Sequence, residues 1–176
     1  MIEKGLVQRE KYQGVELTEK GRKEAVLLIR KHRLWETFLV EKLGIGWDRV
    51  HSIAEQLEHI DSEELIEKLD TFLDHPKVDP HGDPIPDSKG RTIQQSGAIR
   101  LSVANNGLYK ITRITDDSQE LLSYLTNIGI SLYSIIKVEG KVTFDNTVMV
   151  ILDKKKLGIS QKASECILVS NIETVT

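Results

Sequence analysis

His32-Arg33-Leu34-Trp35-Glu36 and, a little further on, Val50-His51-Ser52-Ile53-Ala54-Glu55-Gln56-Leu57-Glu58-His59 are the two stretches that govern the reading of this chain. On a helix His32 and Glu36, four apart, project from one face about one turn from each other. His51, Glu55, Glu58 and His59 fall at i, i+4, i+7 and i+8, again one stripe, opposite the apolar Val50, Ile53, Ala54 and Leu57. Three of the five histidines and three carboxylates thus gather on two helix faces. Mixed imidazole and carboxylate donors suit Mn²⁺, Fe²⁺, Co²⁺, Ni²⁺ or Zn²⁺ better than Ca²⁺ or Mg²⁺, which favour oxygen throughout. A His-Glu pair at this spacing is also an ordinary feature of a solvated helix face, so spacing alone leaves both readings open.

Working outward, Thr18 is a good N-cap, and Ala25, Leu28, Ile29, Trp35, Phe38, Leu39 and Leu43 recur at helical spacing up to Gly44-Ile45-Gly46. This predicts one long amphipathic helix. The second helix is expected to start after Asp48 and to end near Ile60. A third is expected after Asp61-Ser62, with Leu65, Ile66, Leu69, Phe72 and Leu73 on its apolar stripe and Glu63 and Glu64 in the first turn against the helix dipole. Before the long helix, Gly5-Leu6-Val7-Gln8-Arg9 and Val15-Glu16-Leu17 flank the turn Lys11-Tyr12-Gln13-Gly14, a small β-hairpin.

Beyond Pro76 the pattern changes. Pro80, Gly82, Pro84, Pro86, Gly90 and Gly97 interrupt any regular period and mark a linker. The remainder is strand-prone: 107–111, 134–138, 147–152 and 166–169 are short β-rich runs, interrupted by one helix around 119–125. The expected architecture is α+β: a hairpin (1–17), a helical unit (18–78), a linker (79–99) and a five- or six-stranded small barrel of the SH3 type (100–176).

Composition narrows the function. The chain has 176 residues, 39% hydrophobic and 29% charged, as a globular protein does. No run approaches the roughly 18 apolar residues of a membrane span, and no signal-peptide core opens the chain, so a cytoplasmic location is expected. Cys166 is the single cysteine; its apolar neighbours Ile167, Leu168 and Val169 predict a buried thiol, and a cysteine-based zinc site is excluded. A net charge of −3 and a pI near 6.0 are not the footprint of a domain that grips nucleic acid over its whole surface. Neither an HExxH motif nor a nucleophile elbow is present, which disfavours a metal-dependent hydrolase acting on a small organic substrate.

These strings, followed by Asp79-Pro80-His81-Gly82-Asp83-Pro84-Ile85-Pro86, resemble in order and spacing the diphtheria-toxin-repressor family of metal-dependent regulators, and the likeness runs over essentially the whole chain. The resemblance implies a primary, activating metal site at Glu55, Glu58 and His59 and an ancillary site at His32, Glu36 and His51. Asp79, His81, Asp116 and Asp117 are further candidates to close the ancillary site, and each is equally at home as a turn former or helix cap. Iron-responsive members carry cysteine where this chain has Glu55; a hard oxygen donor there argues for Mn²⁺, with Fe²⁺ next.

The resemblance further implies a homodimer, with Trp35, Phe38 and Leu69 at the contact, that represses transcription from operator DNA and is not an enzyme. In the family a winged helix-turn-helix precedes the metal-site helices. Met1 falls where its recognition helix ends, so only the wing is expected here, with Arg9, Lys11 and Tyr12 as phosphate contacts. A shortened or misassigned repressor is the expectation, and a metal-binding dimerisation fragment without DNA binding is the alternative.

Overall fold

A computed structural model of the chain describes residues 5–10, 14–93 and 97–172. Strands β1 (Val7–Glu10) and β2 (Gly14–Leu17) pair antiparallel, Val7 opposite Leu17. Thr18 ends the hairpin and starts helix α1 (Glu19–Glu41). Its Oγ1 accepts the Gly21 N–H at 3.0 Å and donates to the Gly5 carbonyl at 2.7 Å. Gly21 is where the hairpin crosses the first helical turn: a Cβ there would sit 1.9 Å from the Leu6 oxygen.

Helices α2 (His51–Leu57) and α3 (Glu63–Phe72) pack on α1. Ser62 caps α3 by accepting the Leu65 N–H at 3.3 Å. Their shared core is Leu34, Trp35, Leu39, Val50, Ala54, Ile66, Leu69 and Leu73, closed by Ile85. Trp35 and Leu69 are therefore taken up inside the chain, 9% and 6% exposed, rather than offered to a partner. Phe72, 63% exposed and in ring contact with Phe38, is the larger apolar side chain on that surface. The second helix ends three residues short of the expected Ile60, with Glu58 as its C-cap.

The segment after α3 is irregular but pinned. The Asp79 N–H bonds the Asp83 carbonyl at 2.9 Å, and Asp79 Oδ1 accepts N–H groups from His81 (2.8 Å) and Asp83 (3.0 Å). Gly82, at φ 90°, lies so close to the sheet that a Cβ would come within 2.2 Å of the Thr112 oxygen. Arg33 of α1 holds the segment through Asp79, Asp83 and the Pro84 carbonyl, and Arg113 reaches Asp83 from the sheet.

The C-terminal sheet runs β3 (Ile99–Arg100), β8 (Ile167–Asn171), β4 (Gly107–Ile114), β5 (Ile135–Lys141), β6 (Val148–Leu152) and β7 (Lys155–Ile159), every pairing antiparallel. This is an SH3-like unit of six strands in an α+β chain. Register breaks at Ile111/Arg113 and Val138/Gly140 bend it. Helix α4 (Gln119–Asn127) contributes the buried Leu122 and Leu125 to the core around Ile111, Ile136, Val150 and Ile167.

Strands β3 and β7 and helix α5 (Gln161–Glu165) are additions to the expected pattern. Lysines and a glycine dilute the β signal of Lys155-Lys156-Leu157-Gly158-Ile159. The Asp153-Lys154 turn, with φ 48° and 67°, still forces a hairpin. Cys166 is half-buried, not buried: it caps the end of α5, and Ile167 takes the core position. No helix among the described residues is long and apolar enough to cross a membrane.

Candidate metal centre

The helical unit, the pinned segment and the loop between β4 and α4 meet around a cavity of about 340 Å³. Helix α1 sends His32 and Glu36 into it from adjacent turns, and α2 sends His51. His32 Nδ1 lies 2.6 Å from Glu58 Oε2, and its Nε2 lies 3.0 Å from Glu36 Oε1. His51 Nδ1 lies 3.2 Å from His32 Nε2, 3.4 Å from Glu36 Oε1 and 3.3 Å from Asp117 Oδ2. Asp117 thus reaches across from the SH3-like unit.

On the other side of Glu36, His81 Nδ1 stands 3.8 Å from Oε2 and 4.0 Å from Asp79 Oδ1. The opposite nitrogen of His81 donates to the Trp47 carbonyl at 3.0 Å. Two groups of donor atoms therefore share one carboxylate: His32, Glu36 and His51, partly open to solvent, and Glu36, Asp79 and His81, all buried.

The electrostatics follow from that crowding. Burial alone would push the Glu36 carboxyl up, but hydrogen bonds from His32 and His81 outweigh it and hold the group at about 2. Burial likewise works against the charged form of His81, and the Glu36 carboxylate reverses this, raising it to about 9. His32 is raised in the same way, by Glu36 and Glu58 against its own desolvation. Asp79 goes the other way: burial first, then the neighbouring Glu36 charge, lift it to about 6. The neighbouring imidazoles, both pushed toward their charged form, offset the buried carboxylates, as a cation would.

The remaining candidates spread out. Glu55 is exposed at the cavity mouth, and Glu58 is turned onto His32. His59, beyond the end of α2, is mostly exposed, with Nε2 3.9 Å from Glu58 Oε1. Asp116 accepts the Ser118 N–H at 2.9 Å and lines a separate cleft with Lys162 and Cys166, away from Glu36. Arg9 lies on β1; Lys11 and Tyr12 are outside the described residues. Sequence reading missed Trp47, whose ring stacks on His81 (centroids 5.8 Å, 19°), and the clamp role of Arg33, the neighbour of His32. A tryptophan between two turn glycine-rich stretches, Gly44-Ile45-Gly46 and the segment at Gly82, was the available hint.

Comparison with known proteins matches residues 18–87 to the iron dependent repressor metal binding and dimerisation domain and residues 100–171 to the FeoA domain. The diphtheria toxin repressor of Corynebacterium efficiens is 30% identical over 163 residues, 84% of this chain and 70% of that protein. The iron-dependent repressor IdeR of Mycobacterium leprae is 28% identical over 90% of this chain and 74% of its own length. Among solved structures, a manganese-dependent transcriptional repressor in complex with manganese superposes with a TM-score of 0.84 at 37% identity, covering 97% of this chain and 80% of that one.

Proposed function

Since the chain belongs to the diphtheria-toxin-repressor family of metal-dependent regulators, we propose that it senses Mn²⁺ or Fe²⁺ through a centre organised on Glu36 and transmits occupancy to a transcriptional repressor's DNA-binding region. The observation that carries this reading is Glu36 itself, a carboxylate 2% exposed, flanked by imidazoles from three separate elements and a second buried carboxylate. Such a set is costly to bury for stability alone and is the donor chemistry of a borderline-hard divalent ion. The donors are nitrogen and oxygen without thiolate, which favours Mn²⁺ and Fe²⁺ and admits Zn²⁺, Co²⁺ or Ni²⁺.

In this reading His32, Glu36 and His51 with Asp117 hold metal on the open side, and Glu36, Asp79 and His81 on the buried side. His81 has the arrangement typical of a ligating imidazole, one nitrogen anchored on a backbone carbonyl and the other facing the carboxylates. Glu55, Glu58 and His59 form the activating site. Glu58 is also the hydrogen-bond partner of His32, so holding a metal at the activating site would compete with that bond and link the two regions energetically. A bound metal would supply charge neutralisation; the chain supplies the contacts that join α1, α2 and the SH3-like unit around it. Metal then favours one orientation of the DNA-binding region by its differential affinity for the two states.

The working form is a cytoplasmic homodimer on operator DNA, without enzymatic activity, a small organic substrate or a membrane partner. The exposed Phe72 beside Phe38 marks the apolar surface available to the dimer. Arg9, Lys11 and Tyr12 contact phosphate from the wing. Calorimetric titration of Mn²⁺ into the purified chain tests the centre: saturable binding that Glu36→Ala removes supports it, and equal binding by both proteins defeats it.

A further inference from the structure

We infer that Trp47 is a positioning residue that couples the metal centre to the docking of the SH3-like unit, an inference that rests on the metal reading of Glu36, Asp79 and His81. Three parts of Trp47 point in three directions. Its carbonyl accepts the His81 Nε2–H at 3.0 Å, which keeps that proton on Nε2 and leaves Nδ1 facing Glu36 and Asp79. Its ring stacks on the His81 imidazole, which holds the ring plane. Its indole Nε1–H donates to Thr126 Oγ1 on α4 at 2.8 Å, and the same side chain packs against the SH3-like core.

Neighbouring contacts make the arrangement stiff. Ser123 of α4 donates to Asp48 Oδ2 at 2.9 Å, one residue from Trp47, and the His81 carbonyl accepts the Ile114 N–H at 2.8 Å at the end of β4. Rotating or lifting α4 therefore drags Trp47, and Trp47 cannot move without releasing the His81 ring. Conversely, an ion that holds His81 and Glu36 holds α4 through the same indole. The two equilibria, metal binding and docking, are linked and reciprocal.

The test uses the full chain, Mn²⁺ as the probe, and Thr126→Val, Thr126→Ser, Trp47→Phe and the Trp47→Phe/Thr126→Val double variant. Phenylalanine keeps the backbone carbonyl and an aromatic ring but loses the indole donor. Mn²⁺ affinity should fall about fivefold in Thr126→Val and Trp47→Phe, the low end of ordinary coupling between sites. The double variant should fall well short of the product of the two single effects, because the Trp47–Thr126 hydrogen bond is lost in both singles, while Thr126→Val alone also removes the bond from its hydroxyl to the Leu122 carbonyl at 2.9 Å. Thr126→Ser should restore wild-type affinity, and backbone amides of α4 should exchange faster in the Mn²⁺-loaded valine variant than in wild type. Faster α4 exchange with unchanged Mn²⁺ affinity would show a docking contact without coupling and overturn the inference, as would additive single effects. A wild-type chain that takes up no Mn²⁺ would instead overturn the metal reading itself and the inference with it.

Discussion

Replacing Glu36 by Gln removes one charge from the most buried carboxylate of the centre while keeping its shape. The magnitude follows from the group's own titration. A carboxyl held at about 2 rather than 4.5 corresponds to about 3 kcal/mol of preference for the charged form, supplied by His32 and His81. The upward displacement of His81 is largely the same interaction seen from the partner and is not added to it. Because the folded value lies below the ordinary one, this stability is fully present above about pH 4.5 and is lost as the pH falls toward 2. At neutral pH Glu36→Gln should therefore lower the metal-free melting temperature by about 6–12 °C, from about 2–4 °C per kcal/mol for a chain of this size.

The variant should also lose the rise in melting temperature that saturating Mn²⁺ gives the wild type, a linkage worth about 2.7 kcal/mol at a hundredfold excess over Kd. Differential scanning calorimetry with and without Mn²⁺ reads both. A variant that melts within a degree of wild type and still gains stability from Mn²⁺ would refute the reasoning.

Three further outcomes are expected. Apparent Mn²⁺ affinity should climb between pH 6 and 9 by about tenfold per pH unit, since the ion must displace a proton from His81, held at about 9, and requires Asp79, at about 6, to be ionised; a flat calorimetric profile across that range would contradict it. Gly82→Ala should cost about 1–3 kcal/mol in urea unfolding, because alanine is strained at φ 90° and its Cβ would collide with the Thr112 oxygen; a change under about 0.5 kcal/mol would count against the pinned segment. Phe72→Glu should shift the chain toward monomer in analytical ultracentrifugation, and an unchanged dimer would move the contact elsewhere.

The helical region was readable because its signals are local. Thr18 and Ser62 announce helix starts, the apolar positions recur at the helical period, and the His32/Glu36 and His51 stripes follow from the same geometry. The buried side of the centre was not readable from period or spacing. Asp79 and His81 lie in a Pro/Gly-rich stretch with no regular repeat, and only the tertiary clamp of Arg33, Asp83 and Arg113 brings them to Glu36. Glu58 shares a stripe with Glu55 and His59 on an ideal helix, yet α2 stops at Leu57 and Glu58 turns to His32 instead. Edge strands β3 and β7 escaped notice because edges carry lysine and short runs, the features that weaken a strand signal.

The central claim is that Glu36 organises a divalent-metal centre shared by two groups of ligands. Anomalous diffraction at the manganese edge from crystals grown with Mn²⁺ addresses it most directly. Manganese is expected within coordination distance of the Glu36 carboxylate, with His81 still anchored on the Trp47 carbonyl and Glu58 no longer bonded to His32. Manganese bound only elsewhere, with the His32–Glu58 hydrogen bond intact and no ion near Glu36, would contradict it.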